Sequence, residues 1–162
     1  MAEFDRAHRI FVSYIDKSRE YYLARGYANP YQWAHYEDAP FATLMKPLRE
    51  CRVGLVTTAA LNEETAKIKR VYSSSTTPPP DEMYTEHRSW DKKATHTRDV
   101  ESFLPVRRVS EFAADGRIAS ISPRFYGAPT DFSQRRTIEG YAPSILDLCR
   151  ADCVDVVLLV PL

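Results

Sequence analysis

Two histidines and two aspartates crowd one polar stretch of this chain, His87-Arg-Ser-Trp90-Asp91 followed by His96-Thr-Arg-Asp99. An imidazole oriented by a carboxylate is a common general acid–base pair near neutral pH. The same residues also suit a solvated loop with local turn hydrogen bonds, and composition alone favours that reading. His87, His96 and Asp91 could together hold a metal ion, a weaker third option. Thr57-Thr58 closes an apolar run and could meet a carboxylate or phosphate at a strand tip, although no glycine or basic residue flanks it. Cys149 and Cys153 lie four apart, and Cys51 is remote. No second CxxC or HxxxH accompanies them, so they read as small buried hydrophobes, and no metal site is assigned. Arg107-Arg108 and Arg135-Arg136 read as solvated charge. GxGxxG, P-loop, GxSxG and HExxH patterns are all absent.

Composition narrows the classes. The 162 residues suit one domain with a real core. Lys and Arg total 22 and Asp and Glu total 22, which creates no long-range field for nucleic acid or an anionic membrane. The charged N-terminus lacks the apolar region of a signal peptide, and no apolar run reaches membrane-span length. An odd count of three Cys points to a reducing cytoplasm rather than a disulfide framework. Eleven Pro and five Gly provide many stops but few glycine-dependent phosphate loops.

The elements that must position these residues follow from periodicity. Residues 3–25 carry Phe4, Ala7, Phe11, Tyr14, Ile15 and Tyr22 on one helical stripe, ending at Gly26. Residues 27–47 hold Tyr27, Pro30, Tyr31, Trp33, Tyr36, Pro40, Phe41 and Pro47, an extended aromatic arm. Residues 52–59 read as a central parallel strand and 68–72 as a shorter one, with 61–67 a polar loop and the Ser/Thr/Pro run 73–81 another. Pro105 opens a helix that ends at Asp115-Gly116, and 118–121 is extended. Residues 123–135 form an irregular loop, and 137–150 a helix that Pro143 kinks or delays. Residues 152–162 form a fully buried strand, rich in Val and Leu up to Pro161. The expected fold is α/β, a three-layer, mostly parallel sheet of Rossmann or flavodoxin-like type. A helix and arm occupy 1–47 and the α/β domain 48–162, incomplete at its C-terminus.

Several segments, in order, resemble the selenoprotein B family of glycine, sarcosine, betaine and D-proline reductases. Arg52-Val-Gly-Leu-Val-Thr-Thr-Ala-Ala resembles its first strand, and Ile68-Lys-Arg-Val-Tyr72 its next. His87-x-x-Trp90-Asp91 is similar to its His-x-x-Tyr-Asp segment, and Asp99-Val100 through Leu104-Pro105 to its Asp-Val-Asn…Phe-Pro segment. Val109 through Tyr126-Gly127 and Val154-Asp-Val-Val-Leu-Leu159 complete the match, which spans about residues 40–162. Trp90, Arg88-Ser89 and Glu101 depart from the pattern, which puts the substrate in question.

The resemblance implies a selenocysteine or cysteine immediately after the last strand. It would attack a small amine held as an imine on a pyruvoyl group of a partner subunit, with reductive C–N cleavage. That places the nucleophile just beyond Leu162, where an in-frame UGA read as a stop would end the chain, and makes the 162-residue form inactive. It also casts His87 and Asp91 as acid–base or supporting groups, Thr57 and Thr58 as cleft lining, and Tyr126 as closing the cleft. The expected partners are a reductase subunit or a second copy. No cofactor is expected in this chain itself. The competing reading is a non-catalytic interaction module that docks a protein through its aromatic arm.

Overall fold

The computed structural model describes residues 14–27, 35–38, 42–86, 97–131 and 133–162. The chain divides into two units, residues 1–40 and 41–162. The first unit contains helix α1, Tyr14–Ala24. Gly26 ends it at φ 80°, a left-handed conformation that only glycine adopts cheaply. The Tyr22 ring meets those of Tyr21 and Tyr27 edge-on, at 5.5 and 5.6 Å between centroids.

The second unit is mixed α/β with a five-stranded, mostly parallel sheet. Its centre is β1, Arg52–Thr57, in which every residue after Arg52 is buried. β3 (Ser120–Ile121) and β4 (Arg124–Gly127) pair in parallel with the start and end of β1. β5 (Val156–Val160) also runs parallel to β1, from Val53↔Val156 to Thr57↔Val160. Val53 is thus paired with both Ile121 and Val156, so β5 lies on the opposite edge of β1 from β3 and β4. β2 (Tyr72–Ser75) is antiparallel to β4.

Alternate side chains of a strand enter different clusters, as the period of two requires. Val53 and Leu55 pack with Phe125 and with Val106 and Val109 of α3 (Val106–Ala114). Val56 packs with Tyr126 and with Cys149, Ile145 and Leu148 of α5 (Ala142–Ala151). Gly54 leaves room between them: a Cβ there would stand 3.1 Å from Val154 and 3.2 Å from the Tyr126 ring. Pro105 caps α3 as its ring geometry suits. α4 (Gln134–Arg136) runs through a π-helical turn over Thr137–Tyr141 into α5, so Pro143, in the first turn of α5, follows helical backbone, and the widened turn falls just before the residue that lacks an N–H.

Four expectations are corrected. Residues 63–67 form a short helix, α2 (Glu63–Lys67), capped by Asn62, whose Oδ1 accepts the Thr65 N–H at 2.8 Å. The second strand is Tyr72–Ser75, shifted into the serine run. Its polar side chains need no core because β4 supplies the backbone partners, and Thr76 beyond it is buried with its hydroxyl on the Ser122 carbonyl at 2.7 Å. Residues 124–127 are a buried strand rather than loop. Finally, β5 is not a fully buried strand: Val157, Leu158 and Leu159 are 36%, 41% and 74% exposed. Among the described residues it has a strand on one side only, while Val156 and Val160 pack against the core.

Candidate functional site

In parallel sheets, ligands gather outside the carboxyl ends of the strands. Four described contacts gather near that end of β1. Thr58, one residue past the strand, accepts the Leu162 N–H on Oγ1 at 2.9 Å, and its hydroxyl donates to the Leu162 carbonyl at 3.3 Å. Ala60 and Tyr84 exchange backbone hydrogen bonds of 3.2 and 2.8 Å as an isolated antiparallel bridge. The hydroxyls of Thr85 and Thr97 meet at 2.7 Å, which closes the base of the segment bearing His87, Asp91 and His96. Those three residues, with Trp90, lie outside the described residues. The Tyr72 hydroxyl donates to the Ala59 carbonyl at 2.6 Å, tying the start of β2 to the same end.

Thr57 does not line an open cleft. It is fully buried, its hydroxyl donates to the Phe103 carbonyl at 3.1 Å, and its Oγ1 accepts the Ala59 N–H at 3.3 Å. Both bonds stabilise the turn out of β1. Thr58 is partly exposed and occupied with Leu162. Tyr126 is fully buried, and its hydroxyl turns toward Ser122 (2.9 Å) and Asp152 (2.7 Å), partners that flank the start of β4 and the end of α5. It packs inside the fold and closes no surface cleft.

Tyr126 belongs to a network that periodicity does not announce. Asp152, at the C-terminal end of α5, receives Arg124 Nε at 3.0 Å and Nη2 at 2.8 Å. Arg52 Nη1 donates to the Asp152 carbonyl at 2.7 Å. The Arg124 fork holds the Asp152 carboxyl below the usual carboxylate range. Burial pushes the Tyr126 phenol well above its ordinary range. These groups bind α5 to β4 and β1; they form a structural clamp.

A second carboxylate hub lies after β4. The Asp131 side chain is 4% exposed. It accepts both Arg136 Nε and Nη2, the Tyr141 hydroxyl at 2.8 Å and the Ser133 N–H at 3.1 Å. The Arg136 guanidinium beside it, foremost, holds the Asp131 carboxyl far below the usual range. Asp131 lies in neither a helix nor a strand, so no periodicity links it to Arg136 or Tyr141, and sequence reading had no signal for this cluster.

Among the described residues no group of three His, Cys, Asp or Glu is arranged to hold a metal. Cys51 and Cys149 are buried as expected, and burial raises the Cys149 thiol. Cys153 is exposed instead, at φ 54° in the turn between α5 and β5. No described helix is long and apolar enough to cross a membrane. Comparisons with protein-family models, curated proteins and solved structures find no match to this chain.

Proposed function

We propose that this chain is the redox subunit of a reductase of the selenoprotein B type, acting by reductive C–N cleavage on an amino acid or related small amine. Its fold is the three-layer, flavodoxin-like variety of α/β, its setting the cytoplasm, and its nucleophile a selenocysteine or cysteine directly after Leu162. The observation that carries this reading is the convergence at the carboxyl end of β1. Thr58 grips Leu162 there, while the Ala60–Tyr84 bridge and the Thr85–Thr97 bond anchor the segment that bears His87 and Asp91. A nucleophile one residue past Leu162 then starts from a held backbone, and the segment bearing the acid–base pair leaves from and returns to residues anchored near the same strand end. The outer edge of β5, unpaired among the described residues, lends this reading no support; the tip of the strand does.

The test is the coding sequence after codon 162, followed by an assay. An in-frame UGA or Cys codon is expected, and the extended chain, with its pyruvoyl partner subunit, should cleave the Cα–N bond of glycine, sarcosine, betaine or D-proline (opening the ring in D-proline) at the expense of a dithiol. The 162-residue chain should not. Robust dithiol-dependent turnover by that shorter chain, or a downstream sequence with neither codon, removes the proposal.

A second reading, a protein-interaction module, is favoured by the exposure of Tyr27 (60%) and Tyr36 (69%). Tyr31 and Trp33 lie outside the described residues. Replacing Tyr27 and Tyr36 with serine should then abolish partner binding and leave the melting of the 41–162 unit unchanged. Undiminished binding removes this reading.

A further inference from the structure

We infer that the cleft between the approach to β2 and the start of α5 is a binding site for a small organic monoanion: an acidic head of carboxylate or sulfonate type on an apolar body. The cleft measures about 620 Å³, within the range of small-molecule sites. One wall carries Lys69 and Arg70, the other Asp147, with Val71, Leu148 and Tyr141 between them.

The charges on these walls are largely unspent: Lys69 has one long ion pair, to Asp131. Asp131 is the nearby carboxylate that would neutralise them, but Arg136, Tyr141 and the Ser133 N–H already fill both of its oxygens. Lys69 Nζ reaches only to 3.9 Å from Asp131 Oδ1, beyond hydrogen-bond range. The Arg70 guanidinium has no ion-pair partner among the described residues, and neither has Asp147. An anion entering between Lys69 and Arg70 therefore gains charge-assisted hydrogen bonds at the expense only of the long Lys69–Asp131 ion pair. Val71 and Leu148 are half-buried and bring an apolar surface that water wets poorly. Asp147 faces a second acidic group with like charge, so a monoanion is preferred to a diacid. The π-helical turn Thr137–Tyr141 brings Tyr141 to the cleft while tying its hydroxyl to Asp131, and such turns are frequent at functional sites. This inference is independent of the reductase reading, since the cleft shares none of its lining with the β1 tip.

The experiment is a titration of the ¹⁵N-labelled 162-residue protein with hexanoate, hexanesulfonate, adipate, hexanol and inorganic phosphate. Hexanoate or hexanesulfonate should saturate with a Kd on the order of 1 mM, moving amides at 69–71 and 140–148. Hexanol, phosphate and adipate should bind at least tenfold more weakly. Arg70→Glu and Lys69→Glu replace exposed side chains, so the fold should survive, as unchanged melting would verify, and each should weaken hexanoate at least tenfold. Asp147→Asn should narrow the hexanoate-over-adipate preference. Hexanol binding as tightly as hexanoate overturns the inference, as does phosphate binding equally well. So does the absence of saturable shifts, or an Arg70→Glu protein that binds as before.

Discussion

Thr58 and Leu162 hold each other reciprocally, N–H to Oγ1 at 2.9 Å and hydroxyl to carbonyl at 3.3 Å, across 104 residues of chain. The parallel ladder between β1 and β5 ends at Thr57↔Val160, and this side-chain clamp continues it past Pro161, which has no N–H to contribute. Thr58→Val keeps the shape and removes both bonds. Hydrogen exchange should show the Leu162 amide losing protection while Val53–Val56 stay protected, with a stability loss of about 1 kcal/mol. Unchanged exchange at Leu162 would mean that the clamp does not form in solution.

Tyr126 and Asp152 should be energetically coupled. Tyr126→Phe deprives the buried Ser122 hydroxyl and the Asp152 carboxylate of one partner each, at a cost of about 1–2 kcal/mol. Asp152→Asn weakens the Arg124 fork as well, and should cost about 2 kcal/mol. A double-mutant cycle by urea unfolding should return a coupling of at least about 0.5 kcal/mol. Strict additivity would dissolve the network.

Acid and alkali should act through different groups. Asp131 is held low chiefly by Arg136 and Asp152 by Arg124. A depressed carboxylate stabilises the fold above its unfolded pKa of about 4 and loses that contribution as pH falls through the folded value. Melting temperature should therefore drop steeply below about pH 4, less so in Asp152→Asn. Tyr126 is raised, first by burial. Its contribution is complete below the unfolded pKa of about 10 and disappears as pH rises through the folded one. Absorbance at the tyrosinate band should show one phenol that ionises only as the protein unfolds.

Gly127 is required by a close approach rather than by its own backbone angles. A Cβ there would collide with the edge of the Tyr72 ring, whose hydroxyl is fixed to the Ala59 carbonyl at 2.6 Å. Gly127→Ala should displace β2 from β4 and cost about 1–3 kcal/mol by overpacking. Coupling it to Tyr72→Ala, which empties the space, should reduce the additional penalty of the alanine. An equal penalty in both backgrounds would place the strain elsewhere.

Position in the sheet should outweigh residue type. Leu55 is fully buried and Leu159 is 74% exposed, although both lie in apolar runs of paired strands. Leu55→Ala should cost about 2–5 kcal/mol and Leu159→Ala less than about 0.5 kcal/mol in the monomer. A large penalty at Leu159 measured at low concentration would show that β5 is covered in solution.

Local chemistry sufficed for much of this fold. The β-branched run at 52–57, the Pro105 entry to α3, the Gly26 stop and the disturbed helix before Pro143 all follow from backbone freedom and periodicity within a few residues. The serine-rich β2 and the strand at 124–127 were not legible, because they are strands by virtue of each other: their hydrogen-bond partners lie about fifty residues away. The same holds for the candidate site. Thr57, Thr58 and Tyr126 were legible as residues near a strand end, but which way each hydroxyl points depends on Phe103, Leu162, Ser122 and Asp152, brought there from distant segments. The run Val156–Val160 determined by itself that β5 would be an apolar strand. Only the tertiary structure decided that it pairs on one side alone among the described residues, because a strand's burial is set by the neighbours that the whole chain folds against it, and a pattern of side chains carries no record of how many there are.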